Sequence, residues 1–358
     1  MNGKRIIARL PLLTASIVVA LLLLAGTYTV IAKSAPPPAG PALASTSDGA
    51  RTFWTSGWKD ISPGDIEPFT HSLGGNLEDY AVELWFKDTD GNLGINRFGY
   101  GGLVAGTQGL GAHWQHLTTD TVQVFRGPQD VVADQVRINV WIHHTSTQAY
   151  SSTWVTIDPG KTEIFTHGLA VTATDLTVNL WFSSTDLGIH HFAYGGLSVN
   201  PLSRTLGAFW RNLTNNTIQV HRFVSDTVVE QVRVEVVAAD EPPDYDSLVA
   251  LGGWQPLTPG SPFVFTHNLG WSTDMLIIQG ECRDATGPNS LGIHQKFAGG
   301  NHHWTDGWQG THLQNVTTNT VTILRRLDDI DCPLARVRVI KRSRSLYLPV
   351  IMRDQSSP

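Results

Sequence analysis

Histidine is the side chain most easily turned to chemistry near neutral pH, and three of the chain's 14 histidines recur in one setting. His71, His167 and His267 each follow Phe-Thr, in Phe69-Thr70-His71-Ser72-Leu73, Phe165-Thr166-His167-Gly168-Leu169 and Phe265-Thr266-His267-Asn268-Leu269. General base or nucleophilic catalysis needs a partner at fixed spacing, and no carboxylate, Ser or Cys accompanies all three histidines at one spacing. They read either as imidazoles satisfying the backbone of a turn or as ligand contacts, with a metal as a further alternative. The pairs His143-His144, His190-His191 and His302-His303 fall at three different repeat positions and read as separate surface histidines. Asp88-Thr89-Asp90-Gly91-Asn92 begins like a calcium loop but lacks the distal bidentate Glu, so it reads as a polar turn. No Gly-x-Ser-x-Gly, His-Glu-x-x-His or phosphate-binding glycine loop occurs. The expectation is a protein that is not an enzyme and carries no cofactor and no metal.

The aromatic residues suggest binding instead. Trp85 and Trp181 alternate out of the apolar face of their segments, as do Phe125 and Trp141, while Tyr100 with Trp114 and Tyr194 with Trp210 sit on Gly-rich stretches. Flat rings beside polar loops can stack on sugar rings, with Arg126, Arg222 or Arg325 available for hydroxyls; equally, the rings can pack under loops or against a neighbouring unit. The tentative ligand-binding set is His71, Trp85, Tyr100, Trp114, Arg126, His167, Trp181, Tyr194, Trp210 and Arg222.

What positions these residues is a unit written three times. Gly57-Trp58-Lys59-Asp60-Ile61-Ser62-Pro63-Gly64 recurs from Trp154 to Gly160 and from Gly253 to Gly260, at spacings of 96 and 100 residues between the tryptophans. Leu93-Gly94-Ile95 matches Leu187-Gly188-Ile189 and Leu291-Gly292-Ile293. Tyr100-Gly101-Gly102 matches Tyr194-Gly195-Gly196 and Ala298-Gly299-Gly300. A period this long is a whole small domain. Within it the apolar period is two: Tyr80, Val82, Leu84 and Phe86 alternate with Ala81, Glu83, Trp85 and Lys87. Such alternation predicts antiparallel strands with one buried face, and an all-β fold of three tandem β-sandwich repeats. The expected layout is a signal peptide or signal anchor over 1–34, a Pro/Ala/Ser-rich stalk over 35–51, and repeats over 52–144, 148–240 and 246–342. A tail over 343–358 follows. Short linkers at Thr145–Ser152 and Ala239–Asp246 predict a semi-rigid rod.

Lys4, Arg5 and Arg9 ahead of the apolar run Leu10–Ile31 predict export, with membrane contact only through this segment if it is not cleaved. The formal net charge is −6, but four bases and one acid lie in residues 1–50 and the same in 341–358. The body therefore holds 17 basic against 29 acidic residues, and an acidic body repels phosphate backbones, so nucleic acid is not expected as a partner. Both cysteines, Cys282 and Cys332, are in the third repeat. By counting along the repeats they replace Phe86 and Val131, and an exported chain lets such a pair persist as a disulfide.

The order of an aromatic strand, Phe-Thr-His-x-Leu-Gly, a Thr-x-x-Thr-Val strand (Thr118 to Val122) and a closing Val-Arg-Val/Ile strand resembles H-type lectin domains and related tail-fibre modules. That resemblance implies six-stranded β-sandwiches that bind sugars, commonly as trimers; no binding residue transfers by motif. The reading is an exported surface-binding or adhesion protein, extracellular or at the cell surface. Its expected ligands are glycans or cell-surface polymers taken through tandem weak sites, and homo-oligomers are possible. The alternative is a structural or protein-binding spacer. Repeats one and two keep the aromatics and should bind, whereas repeat three, with Glu281 and Ala298 in their place, should support.

Overall fold

The alternation read from the sequence is realised as strands. The structure, a computed structural model, describes residues 53–105, 108–142, 149–199, 204–238, 242–284, 289–303 and 307–341. The signal and stalk over 1–51, His143-His144 and the tail over 343–358 lie outside them, as do the side chains of His302-His303. Among the described residues no helix is long and apolar enough to cross a membrane.

The first repeat contains β1 (Phe53–Thr55), β2 (Lys59–Asp60), β3 (Ile66–Thr70), β4 (Tyr80–Lys87), β5 (Ile95–Asn96), β6 (Leu103–Ala105), β7 (Gln108–Leu110), β8 (Ala112–Gln115), β9 (Thr121–Arg126) and β10 (Gln135–Ile142). One sheet has the order β1-β10-β4-β5, with β2 also on β10; the other is β3-β9-β8; β6 and β7 form a separate hairpin. Strands β11 (Ala149–Ser151) to β20 (Gln231–Ala238) and β21 (Tyr245–Asp246) to β30 (Leu334–Lys341) repeat this topology twice, all pairs antiparallel. The three repeats are therefore three similar β-sandwiches. The predicted linkers are shorter than expected, because Ala149–Ser151 and Tyr245–Asp246 are already first strands of the next repeat.

Each sandwich closes on an apolar core with the predicted inward residues: Tyr80, Leu84, Phe86, Val122, Val124, Val136, Ile138 and Val140 in the first repeat. A Val, Leu, Ile or Phe removed from water in this way contributes about 1.5–3 kcal/mol. Every core is also bolted by a buried ion pair four residues apart: Arg126 Nε to Asp130 at 2.8 Å, Arg222 to Asp226 at 2.6 Å and Arg325 to Asp329 at 2.9 Å. The same arginines donate to the carbonyls of Ile61, Ile157 and Leu257, and the aspartates accept from Gly111, Gly207 and Gly310 N–H. The strand is thereby tied to two loops at once.

The three repeats do not form a rod; they close into a ring with threefold pseudosymmetry. β15 (Gly188–His190) of the second repeat lies along the end of β8, so that His116 and Leu117 N–H donate to the carbonyls of Leu187 and Ile189 at 2.9 and 3.2 Å. Asn212 and Leu213 make the same bonds to Leu291 and Ile293 of the third repeat, and Asn315 and Val316 return them to Leu93 and Ile95 of the first. Each joint pairs two sheet edges that would otherwise be open to aggregation. A second layer repeats the closure: Ala193 N–H donates to Gly101 O, Phe297 to Gly195 O and Gly99 to Gly299 O. Here the backbones approach so closely that a Cβ on Gly101 would stand 2.8 Å from Tyr194 N, and these positions also hold a positive φ that suits glycine. Farther out, Arg137 reaches Asp274, Arg233 the Glu78 carbonyl and Arg336 the Thr174 carbonyl, each crossing to another repeat.

The disulfide between Cys282 and Cys332 is formed, with Cα atoms 5.1 Å apart. Its counterpart positions correct the sequence alignment by two residues. Cys332 N–H donates to Asp329, as Ala133 donates to Asp130 and Val229 to Asp226, so Cys332 stands for Ala133. Val131, the residue chosen from the sequence, is 72 % exposed.

Candidate functional site

Ring closure decides where the expected binding residues go. Trp85 and Trp181 do leave their own cores, as the strand parity requires, but each enters a neighbour's: Trp181 meets Trp114 with ring centroids 5.6 Å apart, and Trp85 joins the third repeat's core. Trp114 and Trp210 are fully buried and Tyr194 nearly so. Arg126 and Arg222 are spent on the ion pairs described above, as is Arg325, so none is available for a hydroxyl. His71, His167 and His267 are buried, each accepting from the backbone N–H two residues on, Leu73, Leu169 or Leu269, at 3.3–3.4 Å. That geometry matches the turn-satisfying reading, and burial lowers all three pKa values. His190-His191 are not surface histidines. His190 is fully buried and accepts from Phe192 N–H at 3.0 Å, and His191 packs on Trp114 at 4.3 Å.

Asp88, Asp90 and Asp134 bring carboxylate oxygens within 4.8 Å of one another. Asp88 already accepts from Gly91 and Leu93 N–H, and Asp134 from the Thr89 N–H and hydroxyl and from Arg126, which is the behaviour of a polar turn. Glu230 and Pro333 stand at the position of Asp134 in the other repeats.

The feature the sequence reading did not assemble is a recess of about 170 Å³ on the threefold axis, lined by all three repeats. The outward faces of β4, β14 (Leu176–Ser184) and β24 (Leu276–Asp284) meet there. They present Glu83, Asn179 and Gln279, which occupy one register position opposite Asn139, Glu235 and Arg338 of β10, β20 and β30. Next along the axis come Arg97, His191 and Gln295, again one position in three repeats. Two of the three joints are then filled by a Tyr–Trp pair held on the axial residue of the next repeat. Tyr100 Oη lies 2.6 Å from His191 Nδ1 and accepts from Trp114 Nε1 at 3.3 Å. Tyr194 donates to Gln295 Oε1, which also accepts from Trp210 Nε1 at 3.2 Å. The third joint has Ala298 and Leu313 where the others have Tyr and Trp. The space they leave is taken partly by Arg97, paired with Glu83 at 2.8 Å and stacked 4.0 Å from the Trp85 ring. Arg338 and Arg336 both pair with Glu281, which replaces the tryptophan of the other repeats.

Burial holds the groups around this recess uncharged where it can. Desolvation lowers His191 to about 3, assisted by neighbouring His190, and raises the Tyr100 phenol to about 12. The Tyr194 phenol is raised by the same cause, with Tyr100 adding to it. These groups donate and accept hydrogen bonds and do not exchange protons at neutral pH.

No family model, no curated protein and no solved structure matches this chain.

Proposed function

We propose that this is an exported, non-enzymatic surface-binding protein whose three sandwiches act together on a repetitive target, with a glycan or another cell-surface polymer as the favoured ligand. The observation that supports this is the ring itself. Its three joints use the same backbone hydrogen bonds, and this sets three like domains at equal rotations about one axis. Domains so fixed can engage a repeating polymer at several points, and linked weak sites raise apparent affinity by roughly 10² to 10⁴ without any new contact. The all-β architecture and the strand order that resembles H-type lectins agree with this reading. The acidic balance argues against nucleic acid.

The test is a glycan-array screen of residues 51–342, followed by titration on an immobilised polysaccharide that scores. Saturable binding that weakens when the polymer is cut to single units supports the proposal. Absence of binding to every glycan rejects it.

One observation favours a second reading. The aromatic faces best suited to sugar stacking, Trp85, Trp114, Trp181 and Trp210, are consumed in cores and joints. A rigid structural spacer or protein-binding body would spend them in that way. Capture of a protein partner by residues 51–342, with no response on the glycan array, would select this alternative.

A further inference from the structure

The axial recess gathers polar side chains from all three repeats, Glu83, Arg97, Asn179, Gln279, Gln295 and Arg338 among them. At two joints the same space is sealed by Tyr100 with Trp114 and by Tyr194 with Trp210. At the third, Ala298 and Leu313 leave the part of it that Arg97 does not take open. We propose that the recess is a binding site for one neutral, hydroxylated six-membered ring, a single sugar unit, held end-on along the axis.

Size sets the first limit. A cavity of about 150 Å³ holds one benzene-sized ring, so the recess, at about 170 Å³, has room for at most one six-membered ring, and that ring's outer substituents would project from it. Polarity sets the second. An apolar ring would leave the buried Nε–H of Arg97 and of Arg338 and the lining amides without solvent or ligand partners, at about 1–3 kcal/mol for each group stranded. Charge sets the third. Arg97 is already matched by Glu83, and Arg338 by Glu281. A charged ligand would enter a site whose charges are internally neutralised, and it would find no counter-ion to offset its own desolvation. A neutral polyol meets both needs, since each hydroxyl donates and accepts. Donors remain for it: Arg97 and Arg338 each keep a buried Nε–H with no partner, and Arg338 is only 2 % exposed. Acceptors line the recess at Asn179 and at Gln279, whose Oε1 already takes the Thr177 hydroxyl at 3.3 Å and keeps its second lone pair, and the Tyr100 and Tyr194 rings, 5.9 Å apart, offer apolar surface for the C–H face.

This assignment rests on the glycan-binding reading but names a site that reading does not require. The experiment is saturation-transfer NMR and calorimetry on residues 51–342 with glucose, galactose, mannose and N-acetylglucosamine. Glucuronate and glucosamine serve as charged controls. Ala298→Tyr restores the aromatic of the other two joints and fills the recess without introducing a residue foreign to that position. Gln279→Leu removes an acceptor and keeps the volume. At least one neutral sugar is expected to bind about one per chain, the charged controls about tenfold more weakly. Ala298→Tyr should abolish this binding, and Gln279→Leu should weaken it about tenfold. Polymer binding by Ala298→Tyr with loss of the single sugar shows that the recess binds separately from whatever surface takes the polymer and supports the proposal. Equal sugar binding by both variants and the parent overturns it, as does polymer binding by a parent that takes none of the four sugars. Failure to bind either polymer or sugar rejects both readings together.

Discussion

Gly99 N–H donates to Gly299 O at 2.9 Å, one of the hydrogen bonds that join the first repeat to the third. The equivalent bonds, Ala193 to Gly101 and Phe297 to Gly195, join repeats adjacent in sequence and could exist in an open chain. The Gly99–Gly299 bond belongs to the one joint, shared with Asn315 and Val316, that exists only in a ring.

Ring closure is testable at Gly299. A Cβ there would stand 2.9 Å from the Tyr100 carbonyl, on a backbone with φ of +116°. Gly299→Ala should cost about 1–3 kcal/mol through strain and lost approach. Small-angle scattering should show a larger radius of gyration, whereas substitution of the exposed Gly57, whose Cβ would meet nothing within 4 Å, should leave the radius unchanged.

The buried Arg–Asp bolts should each matter. Asp226→Asn leaves the buried Arg222 charge without its counter-ion, and breaking one partner of such a pair costs about 3–5 kcal/mol. Thermal unfolding should begin at a markedly lower temperature. Lys59, whose partner Glu67 sits in a more exposed pair, should give less than about 1 kcal/mol when replaced by Ala.

Acid should destabilise the ring through its buried histidines. His191, His190 and His312 are lowered to about 3, and His113 to about 4, all chiefly by desolvation. Below pH 6.5 the unfolded chain takes up protons that these folded imidazoles refuse. Their contribution is therefore complete above pH 6.5 and declines as pH falls toward 3, by up to about 1.4 kcal/mol per group and pH unit. The melting temperature should drop between pH 7 and 5. His191→Gln copies Gln295, which already serves Tyr194 and Trp210, so this variant should fold and lose part of the pH dependence. An unchanged slope would contradict this account of His191.

The disulfide should stabilise the third repeat by about 4 kcal/mol, the chain-entropy value for its loop, given a separation of 50 residues. Reduction should lower the melting temperature. Cys282→Phe with Cys332→Val rebuilds the Phe182–Val229 pair of the second repeat, and that double variant should be insensitive to reductant while recovering part of the loss.

The repeats, the strands and the inward residues were legible because a period of two over eight residues, from Tyr80 to Lys87, admits few other readings. The same parity should have placed Arg126 inside: it follows Val122 and Val124 at steps of two, and Asp130 recurs with it as Asp226 and Asp329 do with Arg222 and Arg325. Trp85 and Trp181 were correctly turned out of their own cores. What covers them was not legible, since strand parity describes one sheet and says nothing of a partner supplied roughly 100 residues away. The recess was hidden for the same reason. Glu83, Asn179 and Gln279 differ in type, and only the ring brings them to one axis.

Closure within one polypeptide changes how this assembly answers to dilution. A trimer of separate chains falls apart as its concentration drops, because every dissociation is driven by mass action. Here the three sandwiches are tethered through short connections, so each meets its neighbours at an effective concentration on the order of millimolar, whatever the number of molecules in the solution. The joint between β5 and the end of β28 (Thr311–Gln314) can therefore open and re-form as an intramolecular event. Its equilibrium should be the same at nanomolar and micromolar protein, a property no three-chain version of the ring would share.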